Sequence, residues 1–170
     1  MSKIDFSDIN VPELIADMWE PLTEEQREYL SEHFTIQNFK KNEVVHFEGE
    51  TPTHLMCLLT GKVKIYKDGV GGRSQIIRMM KPVEYFGYRA YFSEQAYVTA
   101  AAAFEPSVIC LIPMTVITKL IRQNNDLAMF FIKQLSNDLG MSDTRTVNLT
   151  QKHIRGRLAE SLLFLKESYG

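Results

Sequence analysis

Lys62-Val63-Lys64-Ile65-Tyr66-Lys67 alternates charged and apolar residues, and the reading of this stretch decides the fold. A period of two places Val63 and Ile65 inward and the lysines outward, which predicts a strand in an antiparallel sheet with one wet face. Similar β-rich pieces lie on both sides: Thr35–Phe39, Glu43–Phe47, Leu55–Leu59, Gln75–Met79, Val98–Phe104 and Val108–Ile112. Turn formers separate them, among them Lys41-Asn42, Glu48-Gly49-Glu50, Thr60-Gly61, Asp68-Gly69, Lys81-Pro82 and Glu105-Pro106. Short strands at regular spacing predict a sandwich or roll.

Helical patterns flank this β region. Leu14, Ile15, Met18 and Trp19 fall on one helical face before Pro21, and Thr23 with Gln26 three residues later forms the signature of a helix start. Leu30 and Phe34 continue the buried face of that second helix. After Pro113 the pattern is helical through Val116–Ile121, and then from Asn125 to about Leu149 without proline. Leu135, Leu139, Ser142, Thr146 and Leu149 recur at 4-3-4-3 spacing, a half-apolar seam that suits a core helix or, in the sharper reading, a two-helix dimer interface. A final helix, Gln151 to about Lys166, is expected to bury Ile154, Leu158, Leu162 and Leu165.

The 170 residues carry 19 Lys and Arg against 21 Asp and Glu, with 45% apolar and 24% charged residues, so the composition is that of an ordinary globular chain. A net charge of −2 argues against a wholly basic nucleic-acid binder and against strong membrane adsorption. Acid is concentrated at the front: residues 1–32 hold nine acids and two bases. Cys57 and Cys110 are too few for a four-thiolate cluster or a four-cysteine zinc site, and their apolar surroundings mark them as small hydrophobes. Met1 to Asn10 has no signal-peptide core and no apolar run approaches a membrane span, so a cytoplasmic location is expected.

Specific residues now meet this order of elements. Lys41-Asn42-Glu43-Val44-Val45-His46-Phe47-Glu48-Gly49-Glu50 resembles the second-strand signature of the cyclic-nucleotide-binding β-roll. Leu58-Leu59-Thr60-Gly61-Lys62-Val63-Lys64-Ile65-Tyr66 is similar to its hairpin, and Met80-Lys81-Pro82-Val83-Glu84-Tyr85-Phe86-Gly87 to the Pro-Gly-Asp-x-Phe-Gly run that opens its ligand pocket. Asn148-Leu149 and Ile154-x-Gly156-Arg157-Leu158-Ala159-Glu160-x-Leu162-Leu163 resemble the end of a dimer helix and the first helix of a DNA-binding domain. Together these residues resemble the Crp/Fnr family of bacterial transcription regulators across residues 20–170.

The resemblance implies a mainly β chain with flanking helices (α+β), a double-stranded β-roll of the jelly-roll type followed by a long dimerisation helix. It divides the chain into an N-terminal arm (1–18), a sensor roll (19–124), a dimerisation helix (125–149) and the first helix of a truncated winged helix-turn-helix domain (150–170). It implies a homodimer that binds a small-molecule effector, with DNA read only through a C-terminal domain that this sequence does not include.

Members that bind cyclic AMP place a Glu after the Gly of Phe-Gly and an Arg-Ser or Arg-Thr pair about ten residues on, because a buried phosphate needs a guanidinium or backbone donors. Here Tyr88 follows Gly87, and the matching segment reads Tyr97-Val98-Thr99. Losing the partner of a buried charge costs ~2–5 kcal/mol, so cyclic AMP binding in the usual mode is not expected. Phe86, Gly87, Tyr88, Arg89, Tyr97, Val98 and Thr99 are the candidate pocket residues, joined by Ser142 and Asp143 on the long helix. Arg89 is either a displaced phosphate ligand or a solvated surface arginine, and Asp143 either a ligand acceptor or part of a solvated face. Four of the seven tyrosines fall within residues 85–97, which suits either a plugged pocket or one reshaped for a flat apolar effector such as haem. Ligands for haem or a metal would come from His33, His46, His54, His153 and from Met56, Met79, Met80, Met114, Met129 and Met141, but no attachment motif is present and no metal is expected.

No nucleophile–base pair, paired carboxylates or phosphate loop points to catalysis. The sensor domain therefore leads. A ligand-free dimerisation roll comes second, and a cupin-like metal enzyme built on His46 and His54 comes last.

Overall fold

A computed structural model describes residues 10–69 and 71–151 and, beyond them, residues 155, 156, 158, 159, 162, 163 and 166; the side chains of residues 148–151 are not described. The first amphipathic stretch is broken at Ile15 into two short helices, α1 (Val11–Leu14) and α2 (Ala16–Trp19). Val11, Ile15 and Met18 are buried, while Leu14 and Trp19 sit half-exposed at the rim. Helix α3 (Glu24–Ser31) starts with a complete capping box: Thr23 Oγ1 accepts from the Gln26 amide at 3.3 Å, and Gln26 Oε1 accepts from the Thr23 amide at 3.1 Å. Arg27 reaches back to donate to the carbonyls of Trp19 and Glu20, satisfying orphan acceptors at the end of α2.

Eight strands follow: β1 (Thr35–Phe39), β2 (Val44–His46), β3 (His54–Thr60), β4 (Val63–Asp68), β5 (Ser74–Met80), β6 (Tyr85–Phe86), β7 (Ala100–Ala103) and β8 (Ser107–Pro113). They form two four-stranded antiparallel sheets, ordered β1-β8-β3-β6 and β2-β7-β4-β5, the expected jelly roll. Met56, Leu58 and Ile109 from the first sheet meet Val63, Met80, Ala101 and Ala103 from the second in one core. Strand β3 is buried on both faces because α5 (Met114–Gln123) packs on the outside of β3 and β8 through Met114, Val116, Ile117 and Leu120. That two-sided burial explains why Leu55–Leu59 reads as a continuous apolar run.

The deciding stretch forms β4, with Val63 fully buried and Ile65 packed against the core. Its outer face is only partly wet: Lys62 and Lys64 are half-buried and Lys67 is exposed. Gly61 turns the chain into β4 at φ +90°, and a Cβ there would lie 2.5 Å from the Pro106 carbonyl oxygen, so only glycine fits. Cys57 and Cys110 stand opposite each other across β3 and β8, buried and free, as small hydrophobes. Burial pushes both thiols up, Cys110 to about 12, which leaves them unreactive at neutral pH.

Helix α6 (Asn125–Gln151) is the long helix. Asn124 caps it, accepting from the Leu127 amide at 3.0 Å, while its Nδ2 donates to the Pro21 carbonyl at 2.9 Å and to Gln26 Oε1 at 2.8 Å. The chain divides into two compact units, one ending at Ala128 and one beginning at Met129. In the second, Leu135 is half-buried and Leu139, Ser142 and Thr146 are exposed, while the Leu149 side chain lies outside the described residues. The described residues of the final segment are helical, but Leu158 and Leu162 are exposed, at 62% and 58%, contrary to the expected burial. Spacing specifies an apolar face without supplying a surface to cover it. Ile154 and Leu165 lie outside the described residues. Among the described residues no helix is long and apolar enough to cross a membrane.

Candidate functional site

The pocket residues named from the sequence converge only in part. Gly87, at φ +91°, ends β6 and opens the short helix α4 (Tyr88–Phe92). A Cβ at Gly87 would collide with Met56 and stand 2.9 Å from the His54 carbonyl oxygen and 3.2 Å from the Tyr97 hydroxyl. Tyr97 therefore points across the roll interior toward Gly87. Phe86 is buried beside it in the same core cluster. Tyr88 is buried, with its ring 6.4 Å from that of Phe92 in an edge-on arrangement. Arg89, Val98 and the second-unit residues Ser142 and Asp143 are exposed, and Thr99 is half-buried. Arg89 thus takes the solvated position.

Tyr97 stacks on His46 with ring centroids 3.8 Å apart and planes 25° from parallel. The backbone beneath the tyrosine is clamped to the Glu48-Gly49-Glu50 turn, with the Gly49 amide donating to the Tyr97 carbonyl at 2.7 Å and the Tyr97 amide to the Glu50 carbonyl at 2.9 Å. Lys67 braces the same turn, its Nζ 2.7 Å from Glu48 Oε1 and 3.0 Å from the Val98 carbonyl oxygen. His46 is 7% exposed, and its Nδ1 has no hydrogen-bond partner among the described residues. Burial holds its pKa below the ordinary histidine value, outweighing a backbone hydrogen bond at Phe47 and the Glu50 carboxylate. Burial, aided by Glu50, pushes the Tyr97 phenol up to about 12.

Sequence reasoning missed one polar residue on this face. His46 lies opposite Ala101, Ala101 opposite Ile65, and Ile65 opposite Arg78. Directly opposed residues share a face, and Val63 and Met80, two positions along from Ile65 and Arg78, belong to the core. Half-buried Arg78 thus stands on the inner face. Its signal was hidden because the β4–β5 pairing shifts register between Ile65 and Tyr66, so alternation along Gln75–Met79 does not report which side faces in.

The roll interior is occupied by the side chains of Met56, Phe86 and Tyr97. His54 is half-buried and shares a 2.9 Å hydrogen bond with Thr53 Oγ1. Among the described residues, no three His, Cys, Asp or Glu side chains converge as a metal site, and the pair His46 and His54 gains no further donor.

Comparison with known proteins matches residues 36–124 to the cyclic nucleotide-binding domain. A protein of Haemophilus influenzae is 32% identical over 116 residues, covering 68% of this chain and 87% of its own. A CRP-like cAMP-activated global transcriptional regulator of Mycobacterium tuberculosis is 23% identical over 133 residues, and the match covers 78% of this chain but only 59% of that regulator's length. In solved structures, the sensor domain of the transcriptional regulator DNR from Pseudomonas aeruginosa superposes with a TM-score of 0.69 at 24% identity, covering 78% of this chain and 91% of that one.

Proposed function

The chain belongs to the cyclic nucleotide-binding domain family and is homologous to Crp/Fnr regulators, and on that premise we propose that it is the effector-sensing and dimerisation portion of a transcription regulator whose effector is not cyclic AMP. One observation carries the second half of this reading. The position that the resemblance gives to a phosphate-binding arginine holds Tyr97, whose ring is stacked on His46 inside the roll. A neutral phenol offers a cyclic phosphate a single donor in place of a charged, two-pronged one. Tyr88, at the position of the ribose-binding carboxylate, is buried and supplies no carboxylate.

In this reading the roll senses, residues 125–149 form a dimerisation helix, and residues 150–170 lead into a DNA-binding domain through which the full regulator reads DNA in the cytoplasm. Calorimetric titration with cyclic AMP tests the effector half. The expected result is no saturable heat at millimolar nucleotide, and a saturable micromolar isotherm overturns it. A second reading, a ligand-free roll that serves only to dimerise, draws on the same Tyr97 ring, which closes the interior.

A further inference from the structure

The β4–β5 hairpin is strongly basic in a chain whose net charge is −2. Residues 62–81 carry Lys62, Lys64, Lys67, Arg73, Arg78 and Lys81 against the single acid Asp68. Lys62 and Lys67 are engaged with Glu105 and Glu48. Lys64 lies over the Tyr66 ring, 5.2 Å from its centroid, and Arg73 is exposed; neither has a carboxylate partner among the described residues. Strand β5 is the last of its sheet, and its first four residues, Ser74–Ile77, are all exposed. The Gly69 amide donates to the Arg73 carbonyl at 3.0 Å, which makes these two a hydrogen-bonded pair. Alternation from there leaves Asp68 with Ser74 and Tyr66 with Ile76 as non-hydrogen-bonded pairs. The N–H and C=O groups of Ser74 and Ile76 therefore point off the free edge. The Ile76 side chain, 49% exposed, shares the outer face with Tyr66 and Lys64. The register shift beyond Ile76 ends the regular edge there.

We propose that this edge binds an extended acidic segment of a partner protein as an added strand. The Ser74 and Ile76 peptide groups pair with its main chain, Ile76 meets an apolar side chain, and Lys64 and Arg73 draw its carboxylates. An unpaired edge is a template for pairing, and charge is the usual device that decides what it accepts. Here the four exposed residues are uncharged and the cations stand at their flanks. A peptide suits the edge better than a nucleic acid does, because the edge presents both donors and acceptors and a phosphodiester chain supplies acceptors only. A second copy of the same edge is disfavoured, since pairing would set Lys64 and Arg73 against their own kind. This surface lies apart from the roll interior, so it stands whatever the effector is.

The test is fluorescence anisotropy of labelled probes added to the full chain. The probes are Glu-Val-Glu-Val-Glu-Val, its lysine counterpart, the acidic peptide with proline in place of valine, and a single-stranded oligothymidylate. The acidic valine peptide is expected to bind saturably, and the lysine and proline peptides not to. Arg73→Glu, a surface substitution, should weaken it at least about threefold, the scale of one exposed ion pair. Ile76→Pro should weaken it by a similar factor, because it deletes an outward N–H and no ladder bond. If that variant folds poorly, amide exchange slowed at Ser74 and Ile76 of the wild type reads the same contact. Equal binding of the proline peptide, or no slowing at those amides, shows a charge contact without strand addition and overturns the proposal. Binding of the oligothymidylate but of no peptide assigns the patch to a polyanion and overturns it too. Binding of no probe does the same, leaving the cations as guards that keep the edge from pairing.

Discussion

At His46 burial acts on the proton. Its pKa lies below the ordinary value of 6.5 because the roll interior disfavours the charged ring, and the groups facing it do not reverse that: Tyr97 stays neutral up to about pH 12, while Glu50 and the Phe47 peptide pull the other way without winning. A folded pKa below the unfolded one means that the unfolded chain binds more protons. Stability from this site is therefore complete above about pH 6.5 and is lost as pH falls through the folded value. Urea midpoints taken from about pH 7.5 down to about pH 5 should fall more steeply for the wild type than for His46→Phe; parallel slopes would assign the pH dependence to carboxylates instead. At this scale the sequence was legible in identity but not in direction. Tyr97 was readable as the residue at the phosphate position, yet nothing in Tyr97-Val98-Thr99 said that the ring would turn inward onto a histidine fifty residues away. Arg78 was not legible at all, since the register shift in the β4–β5 pairing decides its face.

Elements differ in how locally they are written. The capping box of α3 is complete in four residues, Thr23 to Gln26, so it could be read without any tertiary knowledge. Strand β7, expected from the sequence within Val98–Phe104, leans more on its neighbours. Ala100–Ala103 has poor strand propensity, and it is a strand because β2 and β4 pair with it on both sides and bury all four alanines. The two-residue β6 and five-residue α4 are too short to show a period, and the aromatic cluster that contains them announces crowding more than conformation. Asn124 joins elements far apart in sequence: it caps α6 and ties it to Pro21 and Gln26. Asn124→Ala should cost about 1–3 kcal/mol, a cap together with two part-buried hydrogen bonds, read as a lower urea midpoint at unchanged slope. A shift within error would show these bonds to be replaced by water.

For the whole molecule, the outstanding question is what covers the long helix. Met129, Ile132, Leu139, Met141 and Val147 are exposed apolar side chains on α6, with Leu139 at 64%. Isolated exposed leucines are ordinary, but Ile132 and Leu139 stand seven residues apart, the spacing at which a second helix covers a seam. Sedimentation velocity should give a dimer for the wild type and a monomer for Leu139→Asp; a wild type that stays monomeric at micromolar concentration removes the dimerisation helix from the proposed function. The sequence by itself determined the two-sheet roll, the helix that follows it and the missing cyclic AMP determinants. Strand alternation, turn residues and motif identity are local properties, written in consecutive side chains. Only the tertiary structure decided that Tyr97 fills the roll, that His46 is buried with its Nδ1 unpartnered among the described residues, and that Arg78 stands in line with it across the sheet. These facts depend on register between strands distant in sequence, and a one-residue slip in pairing carries every side chain to the other face.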